Sequence, residues 1–110
     1  MESRRQYTRI YLSLPMEFHV QVVDSNLFWE SRATLKNISQ GGLYFECGTV
    51  PRLTRGSVAE FTFTTEPPKF GFIKSPIKTQ AVVKRIEARV AGTDNFGIAL
   101  EFLGAPLFKR

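Results

Sequence analysis

Apolar and polar residues alternate with a period of two along much of this chain. The clearest case is residues 59–64, where Ala59, Phe61 and Phe63 take one phase and Glu60, Thr62 and Thr64 the other. Phe96, Ile98, Leu100 and Phe102 repeat the pattern near the C-terminus, and Phe18-His19-Val20-Gln21-Val22 repeats it near the N-terminus. Successive side chains of a strand point to opposite faces, so each stretch predicts a strand with one buried face. Ala33-Thr34-Leu35-Lys36 predicts a further strand, running into Asn37-Ile38-Ser39-Gln40-Gly41-Gly42. Asn and Ser ahead of paired glycines predict a tight turn, with positive φ open to the glycines. Beyond it, Leu43, Phe45 and Cys47 share one face, opposite Tyr44 and Glu46.

The long run from Ile77 to Val90 reads as a strand that changes phase partway. Its apolar positions are odd at Ile77, Ala81 and Val83 but even at Ile86, Ala88 and Val90. A slip of this kind predicts a β-bulge or bend. Asp24-Ser25-Asn26 and Gly92-Thr93-Asp94-Asn95 predict turns, residues 48–56 a loop, and Leu27-Phe28-Trp29 the opening of a strand or the closing of one end of the core. Two prolines in Glu66-Pro67-Pro68-Lys69-Phe70-Gly71 exclude a central strand. That stretch predicts a connection or wide hairpin, with Phe70 and Phe72 tucked back. No segment has a convincing helical period. Short strands separated by turn signals predict an all-β sandwich or barrel.

Composition narrows the function. The 110 residues are read as a single domain. The ten phenylalanines are expected to be mostly buried. A net charge of +5 favours an anionic partner, whether a nucleotide, a nucleic acid or a membrane surface. The single cysteine, Cys47, excludes an internal disulfide and reads as a small core residue. No apolar run reaches the roughly 18–20 residues of a membrane span, and no apolar segment follows the charged start, so a cytoplasmic protein is expected. Catalysis is not indicated. His19, the one histidine, falls on a polar phase without a second ligand at metal spacing, and the carboxylates are scattered. The reading is no enzyme, no cofactor and no metal.

The chemistry lies in two places. Arg4-Arg5-Gln6-Tyr7-Thr8-Arg9 puts three arginines in six residues, with Arg5 and Arg9 four apart. Each guanidinium is a permanent charge with a planar fork that matches phosphate oxygens or the O6/N7 edge of guanine. Asn37 and Ser39 supply short polar side chains at the rim of the predicted turn, and Gly41 and Gly42 allow close approach.

Together these stretches resemble the PilZ domain family, which carries an RxxxR pattern followed by (D/N)xSxxG. Arg5 and Arg9 fit the first, and Asn37, Ser39 and Gly42 the second. The final alternation, Asn95 to Phe102, is similar to the family's closing strand, so the resemblance covers nearly the whole chain. It implies a six-stranded antiparallel β-barrel over residues 10–104, with residues 1–9 as a flexible ligand-binding arm. It also implies binding of cyclic di-GMP. Arg5 and Arg9 are then expected to contact phosphate and guanine, Asn37 a guanine edge, and Ser39 a phosphate or base, with Gly42 giving clearance. Many family members have Asp where this chain has Asn37. Arg4, directly ahead of RxxxR, implies an intercalated pair of ligand molecules. Signalling is expected in trans, through an unidentified effector protein.

Two other readings are set beside this one. One is a ligand-free barrel of the same type that only binds proteins. The other is a small barrel that binds single-stranded nucleic acid through basic residues and stacked aromatics; it is disfavoured because the phenylalanines take the inward phase. Arg85 has two readings, a ligand contact on the outer barrel face and a solvated strand residue, of which the second is favoured.

Overall fold

The structure, a computed structural model, describes residues 9–22, 25–104 and 107–108. Its strands are β1 (Ile10–Val22), β2 (Phe28–Ile38), β3 (Gly42–Cys47), β4 (Val58–Thr65), β5 (Lys69–Phe70), β6 (Ile73–Lys74), β7 (Ile77–Ala88), β8 (Phe96–Phe102) and β9 (Leu107–Phe108). Six of them pair in the order β4-β1-β2-β3-β8-β7, and β7 returns to β4, so the antiparallel sheet closes into a barrel. Closure leaves these strands without free edges, which an open sheet would expose to other chains. β9 adds a short extension to β7 at Ile77 and Lys78, and β5 and β6 form a separate hairpin.

The period-two pattern fills the interior as expected. Phe18, Val20, Phe45, Phe61, Phe63, Ile98 and Leu100 are all buried. Phe18 meets the edge of Trp29 at 4.6 Å between centroids, and Phe61 stacks on Phe63 at 5.6 Å. Such aromatic pairs add about 0.5–1.5 kcal/mol beyond the area they bury. Trp29 therefore packs, Leu53 plugs the core from the 48–56 loop, and Cys47 is an inward residue whose thiol pKa is pushed up by burial.

Strand β1 begins earlier than the alternation shows, at Ile10, and passes through Pro15. The proline is tolerated because of where its backbone points. The Pro15 carbonyl accepts from the Glu66 N–H at 2.9 Å, just beyond the Met16–Thr65 pair that ends the β1–β4 ladder. The nitrogen lies on the same side, so its missing N–H costs no ladder bond.

Three expectations are corrected. Phe70 and Phe72 do not tuck back: they are 48% and 54% exposed, because the β5–β6 hairpin stands off the barrel with only Ile73 buried. Val90 is not in a strand. β7 ends at Ala88, and Arg89 and Ala91 take positive φ around a single 3-10 turn over Val90–Gly92. Finally, the positive-φ glycines among the described residues are Gly56, Gly71 and Gly92, not Gly41 or Gly42.

Candidate functional site

Two bulges set up the outer face. In β2 the pairing steps from Leu35–Phe45 to Asn37–Tyr44, leaving Lys36 as the extra residue. In β7 it steps from Val83–Leu100 to Arg85–Ala99, leaving Lys84 extra. Strict alternation would send Asn37 inward after buried Leu35, and Arg85 inward after buried Val83. A one-residue insertion reverses that phase. Asn37 and Arg85 consequently face outward, and Ile38 takes the buried position. The phase slip read between Ile77 and Val90 is the second of these bulges.

The register then aligns a row across four strands. Asn37 pairs with Tyr44, Tyr44 with Ala99, and Ala99 with Arg85. The Tyr44 ring lies over Gly97, where a Cβ would overlap the ring. Its hydroxyl donates to Glu87 Oε1 at 3.1 Å, while Arg85 Nε donates to Glu87 Oε2 at 2.7 Å. The Arg85 guanidinium carbon sits 5.7 Å from the Tyr44 ring centroid, within cation–π range. Partial burial, then the hydrogen bond and charge of Glu87, push the Tyr44 pKa up from 10.0 to about 12, with Arg85 opposing. Tyr44 is thus a neutral donor at any physiological pH.

The β2–β3 turn forms the other side. The Ser39 N–H donates to the Gly42 carbonyl at 2.9 Å, and the Gly41 N–H donates to Ser39 Oγ at 3.1 Å. The Gly41 carbonyl accepts from Phe102 N–H at 2.9 Å, which ties the turn to the end of β8. Gly42 lies so close to β8 that a Cβ would collide with the Leu100 carbonyl. The glycine is thus required by the barrel's own backbone, independently of any clearance for a ligand. The Asn37 side chain makes no hydrogen bond among the described residues.

Arg9, Asn37, Ser39, Gly41 and Gly42 line one open groove of about 430 Å³. The structure therefore brings together every predicted site residue that it describes; Arg4 and Arg5 lie outside the described residues. The same groove takes in Tyr44, Lys84, Arg85 and Ala99. The sequence favours a solvated Arg85 over a ligand contact and shows Tyr44 only as an outward residue; the structure puts both at the groove. The slip in β7 was the available signal for Arg85, but it did not reveal which residues would stand beside it. Glu101, the acid of the groove, is paired with Lys84 Nζ at 3.5 Å, and Arg85 with Glu87 at 2.7 Å, so Arg9 supplies the remaining positive charge among the described residues. A second groove, of about 450 Å³ and lined by residues such as Glu60, Lys78 and Leu103, contains none of the predicted residues.

These features define a class: a small closed β-barrel with a basic, open groove on its outside, at the mouth of the β2–β3 hairpin. The family model for the PilZ domain matches residues 3–107, and the chain belongs to that family. Among solved structures it is similar to the Bacillus subtilis inhibitor of motility, MotI/DgrA, at 24% identity and a TM-score of 0.68. The match covers 94% of this chain and 44% of that one, so this chain spans less than half of that protein. It is also similar to the PilZ domain of Escherichia coli YcgR, solved with c-di-GMP, at 21% identity and a TM-score of 0.62. That match covers 93% of this chain and 79% of the other. At these identities the likeness is one of fold. No curated protein sequence matches.

Proposed function

We propose that this protein is a cytoplasmic receptor for cyclic di-GMP that passes its signal to an effector protein in trans. One observation carries the reading: in a PilZ domain, the described residues of both motifs meet in a single basic groove. Arg5 and Arg9 supply guanidinium forks to phosphate and guanine. Asn37, whose amide has no partner among the described residues, takes a guanine edge. Ser39 offers its hydroxyl to phosphate or base. An amide in place of the more common carboxylate keeps the acceptor and loses the charge, which affects strength and not the mode of binding.

Arg85 joins this set from the opposite side. A purine base laid across small Ala99 would meet Tyr44 on one flank and the Arg85 guanidinium on the other. The ligand leaves unchanged, since the groove is built for recognition and its carboxylate is neutralised. Phe18, Phe45, Phe61 and Phe63 are buried, and Tyr44 is the one aromatic among the described residues that line the groove, so the groove lacks the run of stacking rings that a single-stranded nucleic acid would use. Contact between ligand and residues 4–9 is the step a partner would read.

The test is a calorimetric titration with cyclic di-GMP beside an Arg5→Ala/Arg9→Ala variant. Saturable heat in the wild type, lost in the variant and absent with cyclic di-AMP, is the expected result. No binding by the wild type would leave the groove without a ligand and turn attention to a protein-interaction module.

A further inference from the structure

The β5–β6 hairpin presents a surface that the ligand groove does not use. Its base is fixed. Thr65 Oγ1 donates to the Pro67 carbonyl at 2.9 Å, Ser75 N–H donates to the Pro68 carbonyl at 2.8 Å, and Ile73 is buried in the barrel. Its tip is a two-residue turn, Gly71-Phe72, between the paired Phe70 and Ile73. Gly71 takes φ of 61°, as tight hairpin turns require. Anchored in this way, Phe70 and Phe72 stay about half exposed, at 48% and 54%.

The charges beside them are unusual. Lys69 and Lys74 stand directly opposite each other across the hairpin. Like charges at paired positions repel and weaken a hairpin. Neither lysine forms an ion pair with an acidic side chain among the described residues. An external anionic surface would relieve this repulsion while the adjacent rings leave water.

We propose that this hairpin docks the protein on an anionic lipid bilayer, with Phe70 and Phe72 entering the interfacial layer and Lys69 and Lys74 meeting headgroup phosphates. The size of the surface selects a bilayer over a protein. Two half-exposed rings offer on the order of 200 Å² of apolar surface, against roughly 800 Å² per partner in a stable protein complex. A convex tip of that size can sink into a soft interface. A protein groove would need apolar flanks that the lysines replace. The lysines act over a Debye length of about 8 Å and bring the tip down, and the rings then hold it at short range. Docking of this kind is weak and reversible.

The test uses the whole protein with vesicles of phosphatidylcholine, alone or mixed with phosphatidylglycerol, read by flotation. Wild type is expected to float with the anionic vesicles only. Phe70→Ser/Phe72→Ser leaves the net charge unchanged and is expected to lower partitioning by about tenfold or more. Lys69→Glu/Lys74→Glu is expected to abolish it. A Phe72→Trp reporter should shift its emission to the blue on anionic vesicles. Cyclic di-GMP affinity should be the same in all variants, which separates this proposal from the assignment of the groove. Equal flotation of wild type and Phe70→Ser/Phe72→Ser would show that net charge alone drives binding, and would overturn the proposal. Failure of the wild type to float would overturn it as well. Capture of a protein partner that needs the two rings, without flotation, would reassign the hairpin to that partner.

Discussion

Asn37 and Arg85 stand at the two ends of one transverse row on the outside of the barrel, joined in register through Tyr44 and Ala99. Three strand intervals of about 4.8 Å put roughly 14 Å of curved sheet between them. Arg85 is held at the groove by Glu87, yet their side chains are 59% and 43% exposed. An ion pair so open contributes about 0.2–1 kcal/mol. A charge-assisted hydrogen bond to ligand, about 1.5–3 kcal/mol, outweighs it. Arg85→Ala is therefore expected to weaken cyclic di-GMP binding by about tenfold or more by calorimetry, with the melting temperature nearly unchanged. Wild-type affinity in this variant would confine the site to the arm and the β2–β3 turn.

Glu87 has the opposite sign. It competes for Arg85 and places a negative charge beside an anionic ligand. Glu87→Gln retains an acceptor for the Tyr44 hydroxyl and releases the guanidinium. The expected outcome is a gain in affinity of up to about fivefold, the equivalent of an exposed ion pair. A loss of affinity would mean that Glu87 chiefly positions Arg85 for the ligand.

The parts of this architecture that sequence reveals are those where one strand face is wet and the other dry. β3, β4 and β8 are such strands. The bulge at Lys84 also shows, because the long strand β7 samples both phases. The bulge at Lys36 is hidden, since Asn37 follows at once and reads as the start of a turn, although the ladder continues to Ile38. Pro15 conceals the first half of β1, because a missing N–H is harmless only when the partner strand has already ended. Phe70 and Phe72 looked inward on composition, but a two-by-two-residue hairpin has no layer above it to bury them. The Tyr44–Glu87 contact joins residues 43 positions apart. A local pattern carries no information about such a pairing until the barrel closes.

We propose that Arg4, which lies outside the described residues, sets the ligand stoichiometry. Arg4 adds a cation directly ahead of the RxxxR pattern. Two stacked ligands double the phosphate charge, which one further guanidinium helps to offset. Titration is expected to give two ligands per protein in the wild type and one in Arg4→Ala. A ratio of one in the wild type would refute the intercalated pair.

Gly42 offers a test of stability that needs no ligand. The atom opposing a new methyl group there is the Leu100 carbonyl, part of the β8 backbone. It cannot swing aside as a side chain would. Gly42→Ala is expected to destabilise the fold by about 1–3 kcal/mol, the usual cost of overpacking, seen as a melting temperature lower by several degrees. The same melting temperature as wild type would show that β3 and β8 separate freely at this point.

Tyr44 carries a pH signature. Its pKa rises from 10.0 to about 12 on folding, through burial and the Glu87 carboxylate. The folded state thus favours the protonated phenol. That contribution to stability is complete below pH 10 and is lost as pH climbs toward about 12, where folded Tyr44 ionises. Ultraviolet titration of the wild type should show a late tyrosinate phase, and Tyr44→Phe should remove it. Unfolding stability should fall more steeply across that window in wild type than in Tyr44→Phe. Gly97→Ala provides the structural control. The added methyl takes the space now filled by the ring of Tyr44, whose flexible side chain must move away and release Glu87. The late phase should then shift back toward 10. A wild type without the late phase would mean that Tyr44 does not donate to Glu87 in solution, and the row from Asn37 to Arg85 would lose its central support.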